Sequence, residues 1–254
     1  MNKSTKVIIG VIVAAFVGLI GISLWQKNQP TPQQSADFAL QTVKDTFAKI
    51  NYDDYNLNSV IAAQEVNGNI AENIEGPADA PVKIYEYADY QCSYCAMMAP
   101  LLSKLVEDYN GKVAVVFRTY VLDYHPNGVI AASAANAAAL QGYWEEYHNL
   151  LFANQNAWYD STGDGLMAQL EQYLTIVSDG KADLEKFRSD IKSQAVAQKV
   201  AFDMGAGEKM DIGGTPWLYL DGEWIKNEKL SPTEYIAKIR EQIDAKLKDD
   251  KSKK

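Results

Sequence analysis

The feature that most constrains the fold is a strand–helix–strand pattern that surrounds the two cysteines of the chain. VKIYEY at 82–87 is rich in β-branched and aromatic residues and predicts a strand. Cys92 then opens a helical pattern, and KVAVVFRTY at 112–120 predicts a second strand. This order predicts a right-handed parallel βαβ unit with a C-x-x-C motif at the start of its helix.

The rest of the chain predicts helices followed by a short return to strands. Asp221-Gly222 separates two short apolar runs, which indicates a hairpin. Ser231 and Pro232 suit the N-cap and first position of a last helix. We therefore expect an α/β protein with a helical domain inserted into a small mixed sheet. The predicted segments are 76–126 for the first half of the sheet domain, 127–207 for the helical insertion, 208–247 for the second half and 248–254 for a charged tail.

The N-terminal region predicts a membrane anchor. Val7–Trp25 contains no charged residue and is long enough to cross a bilayer as a helix. No small-residue cleavage site follows it before Lys27, so an uncleaved anchor is favoured over a signal peptide. Two lysines precede the apolar run and one follows it, which predicts that the chain after residue 27 lies outside the cytoplasm. We expect a single-pass anchor in 1–27 and a spacer with one helix in 28–75; cleavage would instead release a secreted or periplasmic protein.

The charge of the predicted exported part excludes one class of partner. Three of the 24 basic residues lie in residues 1–27, which leaves 21 against 33 acidic residues, a net charge of −12. Proteins that bind nucleic acid present basic surfaces to the phosphates. No nucleic-acid partner is therefore expected.

The C-x-x-C pair favours redox chemistry over a structural or metal-binding role. A disulfide across so short a loop would add little stability. Structural zinc needs four ligands, and the other candidates, His125 and His148, do not form a close pair. A sulfur at the first turn of a helix faces unpaired N–H groups and the positive end of the helix dipole, so Cys92 should be the acidic, attacking thiol. Cys95, one turn later, should be the shielded resolving thiol, and no cofactor is expected beyond the redox-active disulfide of this pair.

A second part of the site is predicted at Thr215-Pro216. A proline just before a strand cannot donate to the sheet, so it suits an edge or a special turn. A cis peptide bond here would leave the backbone of Thr215 free to pair with an extended substrate beside the sulfurs. A trans turn is the alternative.

Four stretches in order, YADYQCSYCAMMAP at 87–100, HP at 125–126, QGYWEEYHNLLF at 141–152 and GGTPWLYLDG at 213–222, resemble the DsbA-like thiol–disulfide oxidoreductases of the thioredoxin superfamily. The resemblance implies a thioredoxin fold with an inserted helical domain. It implies that Cys92 is the nucleophile, that Cys95 resolves the mixed disulfide, and that Pro216 is a cis-proline beside them. Glu86 resembles the buried acidic residue that the family carries on the strand before the motif.

The residues between the cysteines bear on the direction of electron flow. Strongly oxidising family members carry a histidine just before the second cysteine, whereas this chain has Ser93-Tyr94, and tyrosine cannot supply a positive charge. Thr215 before the proline resembles the isomerases and the Gram-positive oxidases of the family. These residues are therefore expected to tune the redox properties or to bind substrate.

The leading hypothesis is a membrane-tethered, extracytoplasmic dithiol oxidase of bacterial type. It would donate the Cys92–Cys95 disulfide to reduced or misoxidised exported proteins, and the resemblance implies that a quinone-linked thiol oxidase of the membrane reoxidises it. A disulfide isomerase or reductase on the same fold remains an alternative. A non-enzymatic thioredoxin-like binding or assembly module is the second alternative.

Overall fold

The computed structural model describes the backbone of residues 32–227 and 229–252, and the side chains of residues 39–227 and 229–249. The predicted membrane span at 7–25 lies outside these residues. Among the residues that are described, no helix has the length and apolarity needed to cross a bilayer.

Five strands of the described chain form one mixed sheet in the order β1-β3-β2-β4-β5. They are β1 (Asn73–Glu75), β2 (Val82–Ala88), β3 (Val113–Thr119), β4 (Trp217–Leu220) and β5 (Glu223–Trp224). The central pair β2 and β3 is parallel, and the other three pairs are antiparallel. The predicted βαβ unit is therefore present at the centre of the sheet, and the predicted hairpin forms its β4–β5 edge.

The helices lie between and around these strands. They are α1 (Pro32–Phe47), α2 (Ser93–Asp108), α3 (Gly128–Ala139), α4 (Trp144–Ala153), α5 (Gln155–Trp158), α6 (Gly163–Val177), α7 (Leu184–Ile191), α8 (Gln194–Lys209) and α9 (Pro232–Ser252). α9 begins as predicted, because Ser231 N–H donates to the Glu234 carboxylate at 2.8 Å and the Glu234 N–H donates to the Ser231 hydroxyl at 3.4 Å.

Helix α2 packs through its apolar side against the sheet. Met98, Leu102 and Leu105 are buried together with Ile84 of β2 and with side chains of β3, β4 and α9. The helix ends at residues that take a left-handed conformation, Asn110 at a φ of 44° and Gly111 at a φ of 82°. Because α2 is fixed along its length by this core, its first turn is held at the carboxyl end of β2.

The helices between residues 128 and 209 bury the loop that carries the cysteines. The alanines of α3 are almost all buried, and their small side chains allow close packing of neighbouring helices. This cluster also contains Cys92 and Cys95. The helical segment therefore forms part of the wall around the two sulfurs.

The sequence prediction of a spacer over 28–75 is wrong for its second half. The expected helix is present as α1, but Val43, Leu57 and Ile61 are buried in the core, and residues 73–75 form a strand of the sheet. Most of its described polar residues are exposed, but Asn67, Glu72, Asn73 and Glu75 are buried. It is part of the folded body.

A buried ionic network holds this segment to the sheet. The side chains of Arg118, Glu72, Lys199 and Asp203 are each at most 1% exposed. Arg118 donates to the Glu72 carboxylate at 2.8 Å, and Lys199 lies 3.4 Å from Glu72 and 2.6 Å from Asp203. Two cations and two carboxylates thus satisfy one another between β3, α8 and the segment before β1.

Candidate functional site

Cys92 lies at the junction between the sheet and α2. It caps the helix with an extended backbone conformation, at a φ of −71° and a ψ of 119°, and is 8% exposed. Cys95, on the first turn of the helix, is fully buried. Both cysteines are free thiols in this structure. Both cysteines are therefore buried, but Cys92 keeps a small exposed area and Cys95 has none.

The environment of Cys92 stabilises its thiolate. The side chain of Cys95 makes the largest contribution, and with Thr215 and the backbone N–H groups of Cys95 and Tyr94 it outweighs burial and lowers the pKa of Cys92 to about 6. Burial and the neighbouring Cys92 sulfur together raise the pKa of Cys95 well above its ordinary value. At neutral pH the outer sulfur is a thiolate and the inner one is a thiol.

Thr215 forms the opposite wall of the site. The Cys92 thiol donates to the Thr215 carbonyl oxygen, with 3.3 Å between sulfur and oxygen. The Thr215 hydroxyl is buried and has no hydrogen-bond partner in the described chain. The Thr215 side chain helps to lower the pKa of Cys92, which favours the thiolate. The Thr215-Pro216 peptide bond is cis, the alternative that sequence reasoning left open. Thr215 therefore accepts a hydrogen bond from the Cys92 thiol through its carbonyl oxygen, and its side chain favours the Cys92 thiolate.

Glu86 is buried on β2, below the cysteines. It pairs in register with Phe117 of β3 and Leu218 of β4, and it is 3% exposed. Burial, followed by the nearby charges of Glu75 and Cys92, raises the pKa of Glu86 to about 8. The carboxyl group is therefore mostly protonated at neutral pH.

Tyr94 is anchored away from the sulfurs. Its hydroxyl donates to the carbonyl of Leu230 at 3.0 Å and accepts from the side-chain amide of Asn227 at 3.0 Å. Ser93, beside it, is exposed. The thiolate of Cys92 is therefore stabilised by N–H groups, a thiol and a hydroxyl, with no positive charge from the dipeptide.

The family comparison agrees with this geometry. A family model described as thioredoxin matches residues 68–245. The chain belongs to the thioredoxin family. The predicted resemblance to its DsbA-like members is confirmed, and so is the thioredoxin-like α/β fold.

Three solved structures share this thioredoxin fold with the chain. Oxidised BdbD from Bacillus subtilis is 24% identical, with a TM-score of 0.57 over 75% of this chain and 100% of that one. ScsC from Proteus mirabilis is 18% identical, with a TM-score of 0.56 over 96% and 100%. The thiol–disulfide exchange protein α-DsbA2 from Wolbachia pipientis is 16% identical, with a TM-score of 0.53 over 86% and 99%. At these identities the likeness is one of fold.

Curated relatives of this thioredoxin-family chain include much longer proteins. The Na(+)/H(+) antiporter NhaA 3 of Salinispora tropica is 34% identical over 152 residues, which are 59% of this chain and 22% of the antiporter. NhaA of Herminiimonas arsenicoxydans is 28% identical over 155 residues, 61% of this chain and 23% of that protein. The chain thus spans less than a quarter of the length of these relatives.

The structure also adds residues that sequence reasoning did not assign to the site. Asp89 is buried and accepts from the backbone N–H groups of Gln91 at 2.9 Å and Leu122 at 2.8 Å. Its carboxylate also lies 2.7 Å from Nδ1 of His125. His125 therefore lies in a loop next to the strand end and binds Asp89 there. Nothing in the sequence next to Asp89 indicates that its carboxylate contacts Leu122 and His125.

His148, in the helical segment, packs inside the protein. Its ring lies among Tyr90, Phe117 and Trp144, with Nδ1 3.1 Å from the Tyr90 hydroxyl. Burial lowers the pKa of His148 to about 3, so the ring is neutral. Within the described residues, no three His, Cys, Asp or Glu side chains are grouped so as to hold a metal ion.

The raised pKa of Glu86 predicts a specific dependence of stability on pH. The folded protein keeps the proton up to about pH 8, whereas an unfolded glutamate loses it near about pH 4.3. Stability conferred by the wild-type residue therefore falls as pH rises through this window. Between pH 5 and pH 8, the free energy of unfolding of Glu86→Gln should rise by about 3 kcal/mol relative to that of the wild type. Urea unfolding at several pH values measures this, and a difference independent of pH would show that Glu86 is ionised throughout.

Proposed function

We propose that this protein is a thiol–disulfide oxidoreductase that acts as a dithiol oxidase. The observation that carries the proposal is the contrast between the two sulfurs. Cys92 is the more exposed of the two and has a pKa of about 6, whereas Cys95 is fully buried and has a raised pKa. A stabilised thiolate favours the reduced form of the pair, and such a pair oxidises its substrates.

The reaction follows from this contrast. A substrate thiolate attacks Sγ of Cys92 in the Cys92–Cys95 disulfide, the disulfide breaks, and Cys95 leaves and takes up a proton. A second substrate thiolate attacks the substrate sulfur of the mixed disulfide and releases Cys92 as a thiolate. The substrate gains a disulfide, and two electrons pass to the cysteine pair. Glu86, protonated at neutral pH, is suited to supply the proton to Cys95.

Substrate, partner and location are part of the same proposal. Exported proteins with reduced or misoxidised cysteines are the expected substrates, since disulfides persist outside the cytoplasm. The apolar run at 7–25 would hold the domain at the membrane, where a quinone-linked thiol oxidase would reoxidise the pair. The alternative, an isomerase or reductase on the same fold, draws support from Tyr94, which brings no positive charge to Cys92.

The reduction potential of the cysteine pair tests the direction. Equilibration of the whole protein with glutathione buffers, followed by thiol trapping, gives the value. We expect a reduction potential well above that of thioredoxin (about −270 mV) and closer to that of DsbA (about −120 mV). A value near that of thioredoxin would contradict the oxidase and favour the reductase. Failure to exchange with any dithiol would favour a binding module.

A further inference from the structure

Gln155 reaches the nucleophile from the helical segment. It is the first residue of α5, is 6% exposed, and lies 63 residues from Cys92 in sequence. Its amide nitrogen Nε2 donates to two carbonyl oxygens, that of Tyr90 at 2.7 Å and that of Cys92 at 3.0 Å. One side chain therefore binds the backbone on both sides of Gln91.

These contacts complete the fixation of the backbone at Cys92. The N–H of Cys92 donates to the Asp89 carbonyl at 3.0 Å, and the Cys92 carbonyl also accepts from the N–H of Ala96 at 3.1 Å. Peptide groups are planar, so a bond to an N–H or carbonyl fixes the orientation of the whole group. With the groups on both sides of Cys92 held, its φ and ψ are set, and rotation about χ1 is the main freedom left to its sulfur.

Two other buried amides tie the residues that follow α5 to the same loop. Gln91 donates to the carbonyl of Tyr159 at 2.9 Å, and its side-chain oxygen accepts from the N–H of Asn127 at 2.5 Å. The Asn127 amide donates to the carbonyls of Tyr159 and Ser161, both at 2.9 Å. These groups are neutral, so the fixation does not change with pH.

We infer that Gln155 is a positioning residue for thiol exchange, which aims the Cys92 sulfur at the donors that stabilise its thiolate. The inference rests on the proposed function. The donors are the N–H groups of Tyr94 and Cys95 and the side chains of Cys95 and Thr215. Their effect on the thiolate depends on distance and angle. If the backbone at Cys92 were less fixed, the sulfur would spend less time within hydrogen-bond distance of these donors. The helical segment thus acts on the reaction through the backbone of the nucleophile.

The test compares two substitutions of Gln155 with a matched control in the whole, reduced protein. Gln155→Met keeps the side-chain length without the donor, and Gln155→Ala removes the side chain. The control is Gln141→Ala, because Gln141 also makes two bonds to backbone, donating to the carbonyl of Asp183 at 3.0 Å and accepting from its N–H at 2.9 Å. The readouts are the thiolate absorbance of Cys92 as a function of pH and the rate of its alkylation.

We expect the titration midpoint of Cys92 to rise by about one pH unit in both Gln155 variants, which is about a tenfold loss of thiolate below the midpoint. The control should titrate as wild type does. An unchanged midpoint in Gln155→Met would overturn the inference, as would failure of both Gln155 variants to fold, since the residue would then serve folding alone. A shifted midpoint in a protein whose wild type oxidises no reduced substrate would uphold the inference and reject the proposed function.

Discussion

Replacement of Arg118 by methionine is expected to lower the free energy of unfolding by about 3–5 kcal/mol. Arg118 and Lys199 face the carboxylates of Glu72 and Asp203 in a site closed to solvent. The variant would leave one cation opposite two buried carboxylates. Since an uncompensated buried charge is far more costly than the net gain from a pair, the loss should exceed that of any single surface ion pair.

Arg118 also satisfies backbone groups that methionine cannot. Its guanidinium donates to the carbonyl oxygens of Leu57 at 2.6 Å and Ser59 at 2.9 Å, and to the Tyr87 hydroxyl at 2.9 Å. Loss of these bonds would leave buried acceptors without partners. We therefore expect the segment that contains Leu57 and Ser59 to lose its hydrogen-exchange protection before the rest of the protein.

A surface arginine provides the matched control for this prediction. Arg188 pairs with Glu171 through two contacts of 2.5 Å and 2.7 Å, but its side chain is 51% exposed. Arg188→Met should therefore lower the free energy of unfolding far less than Arg118→Met does. Urea unfolding of both variants at neutral pH gives the two values. If Arg118→Met and Arg188→Met lowered the free energy of unfolding by the same small amount, a structural role of the buried network would be contradicted.

Local sequence patterns predicted the elements around the cysteines. The strands at 82–88 and 113–119, the helix that starts after Cys92 and the hairpin at Asp221-Gly222 all follow from alternation, helical spacing and turn residues. These signals lie within a few residues of the elements that they specify. The same holds for Ser231 and the start of α9.

Contacts between distant residues could not be predicted in the same way. Glu72 looked like part of a solvated spacer, and it is buried because Arg118 and Lys199 lie 46 and 127 residues further along the chain. Gln155 is an ordinary polar residue in sequence until the fold brings it to Cys92. In both cases the role of the residue depends on a contact with a residue that is distant in sequence. Composition and periodicity do not predict such contacts.

Replacement of Cys92 by serine is expected to abolish thiol exchange, down to the rate measured without protein. A hydroxyl cannot form a disulfide, and Cys95 cannot substitute for the missing sulfur because it is fully buried. Burial also raises the pKa of Cys95 well above its ordinary value, so this thiol carries little thiolate at neutral pH. Oxidation of a reduced, unfolded substrate by the pre-oxidised wild type provides the reference rate.

The most direct test of the central claim is the capture of a mixed disulfide by the Cys95→Ser variant. In this variant the Cys92 thiolate can attack a substrate disulfide and bind one substrate sulfur, and no neighbouring thiol remains to resolve the product. After incubation with a peptide that contains a disulfide, intact mass spectrometry should show one covalently bound peptide, removed by a reductant and located at Cys92. The Cys92→Ser variant should show none. Capture at Cys95 in that control, or no capture at Cys92, would contradict the assignment of Cys92 as the exchanging sulfur.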